Sequence, residues 1–338
     1  MATVLQEKTF TASPQNSSAV IQVEDIRHSY GKRKALNGIS FNVAAGEIFG
    51  LLGPNGSGKT TLFRILSTLM LPTSGHALVS GFDSTKQADE VRRRIGVVFQ
   101  SKSVDLKLTA AENLWHQGHL YGLRGANLKS RIQEMLERVA LTDRAKDKVE
   151  TFSGGMQRRV ELAKGIMHRP SVLLLDEPTT GLDPGARRDL WLYLDELRTQ
   201  EKVSIIVTTH LMEEAEHCDR LAILNLGEIV ALGTPEELRS QIGGDVVMLE
   251  AADPAALAKR IEERFKIATT ALDGKVRLEI KDGLKFVTAV AEAMPGTIQS
   301  VSISKPTLDD VFISRTGHRF WTEQEQGSGN ADPTTDKQ

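Results

Sequence analysis

The chain contains one cysteine, Cys218, so an intrachain disulfide is excluded and a reducing compartment fits the composition. No apolar stretch approaches the roughly 18 residues that a bilayer-spanning helix needs. Any membrane spans must therefore come from another chain. Glu7 and Lys8 interrupt apolar character near the N-terminus, and no signal peptide is expected. The formal net charge is -2 and no long basic stripe occurs, which argues against a nucleic-acid partner. Arg92-Arg93-Arg94, the densest basic run, reads as a solvated helix face. Sustained heptads are also missing, so no long coiled coil is expected.

What is present is organised around Gly53-Pro54-Asn55-Gly56-Ser57-Gly58-Lys59-Thr60-Thr61. This run matches the phosphate-binding loop G-x-x-x-x-G-K-[ST] at Gly53, Gly58, Lys59 and Thr60. An apolar strand-like run, Ile48 to Leu52, precedes it, and Leu62, Phe63, Ile65 and Leu66 follow at helical spacing. A glycine-rich turn between strand and helix aims backbone N–H groups and the positive helix end at one point, where a polyphosphate fits. Lys59 would reach the β- and γ-phosphates, and the Thr60 hydroxyl would hold Mg²⁺.

Upstream, Val20 to Val23 and Leu36 to Val43 have strand-like spacing, with Tyr30 and Gly31 between them. They predict an antiparallel β flank beside a parallel core, and Tyr30 is either a sheet-edge residue or a stacking surface for adenine. Ile95 to Phe99 is a strand that ends at Gln100, where ligands bind in open α/β sheets. Gln100 could touch Mg²⁺ or an attacking water. Residues 105–168 read as a helical insertion, opened by the capping box of Thr109 and Glu112. Ser153-Gly154-Gly155 begins a helix expected to run to His168, either as a plain cap or as a second anion site.

Val172 to Leu175 is a buried strand ending in Asp176 and Glu177. Adjacent acids there need a cation or a proton-transfer role to compensate their burial. Asp176 would orient Mg²⁺ through water, and Glu177 would polarise a water toward the γ-phosphate. Gly181-Leu182-Asp183-Pro184 turns into another helix, and the strand Ser204 to Val207 leads to His210. Beyond Gly243-Gly244 the pattern changes to a small α+β unit, predicted to be ferredoxin-like with a further strand near Thr269 to Leu272. Residues 1–18 and 318–338 are polar and expected to be mobile tails.

Taken together, the phosphate loop, Gln100, Ser153-Gly154-Gly155, Asp176-Glu177, Asp183 and His210 occur in an order that resembles ATP-binding cassette ATPases across residues 20–240. Phe152 and Met156, where the family usually has Leu and Gln, look like the drug-resistance (daunorubicin-type) exporter branch, and so does the C-terminal extension. The resemblance implies that Tyr30 stacks on adenine, Glu177 is the general base and His210 contacts the γ-phosphate. It also implies that Ser153, Gly154 and Gly155 meet the γ-phosphate held by a second copy of the cassette, and that Asp183 belongs to the nucleotide site. Lys59 and Gln100 complete the expected catalytic set. The fold class implied is an α/β phosphate-loop cassette over 19–243, followed by the small α+β domain over 244–317.

The function implied is the ATP-hydrolysing subunit of an exporter, held at the cytoplasmic face of the membrane by a separate membrane-spanning permease. A soluble cassette acting in translation or DNA repair is the alternative. Translation-type members usually carry two cassettes per chain and repair-type members long coiled coils, whereas one cassette is seen here. A monomeric phosphate-loop kinase would leave Ser153-Gly154-Gly155 and His210 unused.

Overall fold

The computed structural model describes residues 19–272 and 274–320. The expected tail 1–18, and residues 321–338 of the other, lie outside the described residues. Strands β1 (Ala19–Tyr30) and β2 (Arg33–Ala44) form an antiparallel hairpin, and the central strand β3 (Ile48–Leu52) follows. The phosphate loop leads into α1 (Lys59–Leu66), after which β4 (Ser74–Val79) and β5 (Phe82–Asp83) return to the hairpin. Their sheet has the order β2-β1-β4-β5, the antiparallel flank that the sequence predicts.

The chain continues through α2 (Ala88–Arg92) and β6 (Ile95–Val98) into the helical insertion, α3 (Ala110–Leu120), α4 (Gly125–Arg138) and α5 (Gly154–Gly165). Thr109 caps α3 with the reciprocal Glu112 bond, as its spacing predicts. The basic run near α2 is tied to Asp89 and Glu90, which accounts for its solvated character. Helix α5 stops at Gly165, short of the expected His168. Strand β7 (Val172–Asp176), α6 (Pro184–Glu201), β8 (Ser204–Thr209), α7 (Met212–Ala215), β9 (Arg220–Asn225) and β10 (Glu228–Gly233) complete the second sheet.

That sheet has the order β10-β9-β3-β8-β7-β6, parallel throughout except for β10. Strands β3 and β7 are buried at every position because both sheet faces are covered, so they read as unbroken apolar runs. One face packs with α1 and the flank through Phe49, Leu51, Phe63 and Leu174. The other packs with the helical insertion and α6 through Leu173, Leu175, Leu162 and Leu194.

Helix α8 (Pro235–Ser240) leads to the third sheet. Its elements are β11 (Asp245–Glu250), α9 (Pro254–Phe265), β12 (Thr270–Leu272), β13 (Lys275–Ile280), α10 (Gly283–Ala293) and β14 (Ser300–Ser304). The order is β12-β13-β11-β14 with every neighbouring pair antiparallel, the ferredoxin-like arrangement, and β12 is the short strand expected near Thr269. Asp253 caps α9 with Pro254 in its first turn, and Leu257 and Ile261 face Val247, Leu249 and Val276.

The last helix, α11 (Leu308–Thr316), behaves differently. Its Leu308, Val311 and Phe312 pack with Leu221, Ile223, Ala231 and Leu238 of the cassette side, and with Val246 of β11. The sequence boundary at 243/244 is therefore crossed by packing. The mobile tail expected over 318–338 does not begin at 318: Phe320 is fully buried and meets Phe312 edge-on at 5.0 Å.

Candidate nucleotide site

Strand β3 lies between β8 and β9, with Leu52 opposite Thr209 and Ile223, so the loop that follows emerges mid-sheet. Gly58 has φ +109, and a Cβ there would lie 2.7 Å from the Ala35 carbonyl oxygen, so both conformation and space demand glycine. At Gly53 a Cβ would come 2.6 Å from the Leu224 carbonyl oxygen. Lys59 is buried and curls under the loop: its Nζ donates to the carbonyls of Gly53 at 2.6 Å and Pro54 at 3.1 Å. Ser57 Oγ is buried with no hydrogen-bond partner among the described residues. Thr60 is exposed in the first turn of α1, and Thr61 is buried behind it.

Facing the loop are the ends of β7 and β8. Glu177 leaves β7 with φ +44, a left-handed geometry that a non-glycine residue adopts only where neighbours enforce it. The enforcing contacts are visible. Its N–H donates to both the Thr208 carbonyl, at 3.2 Å, and Thr208 Oγ1, at 3.0 Å. The Thr208 hydroxyl in turn donates to Asp176 Oδ1 at 2.5 Å. Thr208 thus sets the direction of both acids.

The Glu177 carboxylate gathers most of the other predicted residues. His210 Nδ1 lies 3.1 Å from its Oε1, with Lys59 Nζ at 4.0 Å. Gln100 Nε2 donates to Oε2 at 2.9 Å, and Thr180 Oγ1 approaches the same oxygen at 3.4 Å. Burial pushes the Glu177 carboxyl up, but the His210 hydrogen bond and the His210 and Lys59 charges outweigh it and hold the group below the usual carboxylate range. Asp176 goes the other way: burial raises it, and the Thr208 bond only partly offsets that. The two acids are therefore tuned apart, with Glu177 the more readily ionised.

Tyr30 is 47 % exposed at the end of β1 and lines one cleft with Arg33, Asn55, Gly56, Lys59 and Thr60, with Glu177 also in its wall. Its hydroxyl donates to Met70 Sδ at 3.3 Å, and His28 meets its ring edge-on. The ring is thus held with a face available to a planar group.

Ser153, Gly154, Gly155 and Asp183 are not part of this convergence. Ser153 is exposed, and its hydroxyl accepts from the Met156 N–H as the cap of α5. Asp183 is exposed and caps α6 through the Ala186 N–H at 3.0 Å. These two loops adjoin each other: a Cβ at Gly155 would meet Ala186 Cβ at 2.7 Å. They make a second surface of the same molecule.

Sequence reasoning missed Arg33, Thr180 and Thr208. Only Thr208 left a signal, as one of two hydroxyls between the apolar run Ile205 to Val207 and His210. Gln157 also acquires a place. It is buried, donates to the carbonyls of Phe152 at 3.0 Å and Val149 at 3.3 Å, and accepts from Lys102 Nζ at 2.6 Å. It holds the backbone that precedes Ser153.

A glycine-bounded phosphate loop in mid-sheet, facing an ionised carboxylate ringed by lysine, glutamine and histidine, defines a phosphate-loop ATPase. Comparison with known proteins places it further. A family model described as "ABC transporter" matches residues 36–180, and another, "ATP-binding protein DrrA1-3-like, C-terminal domain", matches residues 233–316. The chain is 39% identical over 313 residues to the linearmycin resistance ATP-binding protein LnrL of Bacillus subtilis, covering 88% of this chain and 98% of that one. It is 36% identical to the daunorubicin resistance ATP-binding protein DrrA2 of Streptomyces coeruleorubidus (88% and 95% covered). It is 42% identical to the Nod factor export ATP-binding protein I of Paraburkholderia xenovorans (89% and 98% covered).

Among solved structures, cbiO1 of Clostridium perfringens, part of the ABC transporter complex cbiONQ, superposes with a TM-score of 0.62 at 26% identity, covering 74% of this chain and 97% of that one. A dimeric post-hydrolysis cassette bound to ADP and Pi gives 0.58 at 29% identity, covering 63% and 98%. The chain belongs to the ABC transporter ATP-binding proteins, and its enzymatic activity is ATP hydrolysis. Among the described residues no helix is long and apolar enough to cross a membrane.

Proposed function

We propose that this chain powers an exporter by closing, head to tail, on a second copy of itself, with each ATP held between the phosphate loop of one copy and Ser153-Gly154-Gly155 of the other. One observation carries the reading. The residues suited to phosphate and water converge on Glu177, whereas Ser153 and Asp183 face solvent on another surface, available to a second molecule. In this reading Tyr30 stacks on adenine, Lys59 neutralises the β- and γ-phosphates, and Glu177 accepts a proton from the attacking water while Gln100 orients it and His210 contacts the γ-phosphate.

Mg²⁺ fits the donor set, though without a protein cage: no group of three or more His, Cys, Asp or Glu suited to a metal occurs among the described residues. Thr60 and Gln100 would hold it directly and Asp176 through water, with phosphate oxygens supplying the rest, as is usual for this ion. The ion would contribute charge neutralisation on the phosphates.

A separate permease would supply the spans and the cargo pathway, holding this chain at the cytoplasmic face. The relatives are named for linearmycin, daunorubicin and Nod factor. Such varied cargoes on similar cassettes support placing cargo choice in the permease. None of those names points to translation or DNA repair. The test is the specific ATPase activity against protein concentration. Activity should rise as dimer forms and fall with Ser153→Arg, while nucleotide still binds that variant. Flat specific activity in strictly monomeric protein overturns the composite site.

A further inference from the structure

Helix α5 carries a buried ion pair that the reaction outlined above does not use. Arg158 and Glu161 are 7% and 3% exposed, and Arg158 Nη1 donates to Glu161 Oε2 at 2.8 Å. Burying such a pair is costly unless the remaining donors and acceptors are also met. Here they are met, and the partners are unusual in where they lie. Arg158 Nη1 donates to the Phe99 carbonyl at 2.8 Å and Nε to the Pro178 carbonyl at 2.7 Å, while Nη2 lies 3.5 Å from the Asp176 carbonyl. Glu161 Oε1 accepts from the Ser103 N–H at 2.6 Å, and Lys164 Nζ donates to the Ser103 carbonyl at 2.6 Å.

Phe99 and Ser103 bracket Gln100, and Asp176 and Pro178 bracket Glu177. The pair thus holds both ends of the Gln100 turn and both sides of the Glu177 backbone, from a helix whose own N-terminus is Ser153. Gln100 itself is exposed, and the Glu177 carboxylate is its hydrogen-bond partner. An exposed side chain keeps a defined direction only if its backbone is fixed.

We propose that Arg158 and Glu161 are positioning residues for hydrolysis: they set the Gln100 turn against Glu177 and make that alignment depend on where α5, and with it Ser153, sits. An ion pair made of a planar fork suits this task better than apolar packing. A guanidinium can bind several carbonyls in fixed directions at once, which an ammonium cannot reproduce. A shift of α5 on contact with a second copy would therefore reach Gln100 and Glu177 of the same chain. The proposal rests on the reading of Gln100 and Glu177 given above.

The experiment uses the full chain with Mg²⁺-ATP, comparing native protein with Arg158→Lys, Glu161→Gln, Gln100→Ala, Glu177→Gln and the double variant Arg158→Lys/Gln100→Ala. Arg158→Lys and Glu161→Gln should each lower kcat about tenfold or more, the scale of a modest misplacement, while KM moves less than about twofold. If Arg158 acts through Gln100, the double variant turns over no more slowly than the slower single variant. Two independent losses would instead multiply.

Native kcat in folded Arg158→Lys and Glu161→Gln proteins overturns the proposal, and so does a multiplicative double variant. Should Arg158→Lys not fold, Glu161→Gln alone decides by the same kcat criterion. Failure of both to fold makes the pair a core element only and also overturns it. Native turnover of Gln100→Ala and Glu177→Gln would instead remove the underlying site reading. A fall in those two with native Arg158 and Glu161 variants removes this proposal alone.

Discussion

Thr208→Val separates the two acids at the end of β7. The side chain is fully buried and valine has nearly its shape, so the change removes a hydroxyl and little else. The Glu177 N–H loses the Thr208 hydroxyl as an acceptor but still donates to the Thr208 carbonyl. Asp176 loses the donor at 2.5 Å that opposes the effect of burial, so its carboxyl rises further and its orientation is freed. A hydrogen bond to a charged acceptor contributes about 1.5–3 kcal/mol. Removal of a partner that orients a metal-binding carboxylate typically costs about 10–100-fold in metal affinity. Because Asp176 would reach Mg²⁺ through water, the lower end applies, about tenfold or about 1.4 kcal/mol.

The assay is steady-state hydrolysis at saturating ATP, with free Mg²⁺ buffered across a wide range, for the native protein, Thr208→Val and Thr208→Ser. The serine variant keeps the hydroxyl and should behave as native. The valine variant should need about tenfold more Mg²⁺ for half-maximal rate. Unchanged half-saturation in folded Thr208→Val protein refutes the reasoning, even if the maximal rate falls.

Three further outcomes are expected. Glu177→Gln should still bind Mg²⁺-ATP but lose about 10²–10⁴-fold in turnover, with an ATP-bound dimer persisting in size-exclusion chromatography; near-native turnover would remove Glu177 as base. Phe320→Ala deletes a ring buried against Phe312 and should cost about 3 kcal/mol, read as a lowered urea midpoint; an unchanged midpoint would refute the packing. Burial pushes the His168 imidazole from 6.5 down to about 4. The unfolded chain then takes up a proton that the folded one does not, so stability should fall as pH drops from about 6.5 toward 4. His168→Gln should flatten that decline in urea titrations between pH 5 and 7.5, and an unaltered slope would count against it.

How much of this was legible depended on whether the physics was local. The phosphate loop, the caps at Thr109 and Ser153, and the buried runs of β3 and β7 follow from short-range steric and hydrogen-bond rules, and all were readable. The convergence on Glu177 was readable only in part, because a glutamine or histidine at a strand end does not reveal what it faces. Arg158 and Glu161 left no signal: in a charged helical stretch they look like a solvated face, and only the strand ends above them make burial tolerable. Leu308, Val311 and Phe312 recur at helical spacing, but periodicity does not name the surface that such residues cover, here β9, β10 and α8. Phe320 failed for a related reason, since one aromatic among polar residues has no period to read.

Helix α11 makes the small sheet an insertion rather than an appendage. The chain leaves the cassette after α8, builds β11 to β14, and comes back to lay Leu308 and Phe312 on β9, β10 and α8. The two crossings are neighbours: Val246 of β11 pairs with Ser304 of β14, and Lys305 donates to Asp245 at 2.7 Å. A chain cut after Gly243 would strip the cover from Leu221, Ile223 and Leu238, and so would injure the cassette itself. The natural excision removes 245–305 and joins Gly244 to Pro306 by a short flexible link, because antiparallel partners lie only about 5 Å apart. The same geometry makes the module exchangeable, since another domain whose two ends emerge side by side could be spliced into that gap, leaving the helix on β9, β10 and α8 at the loss of its Val246 contact.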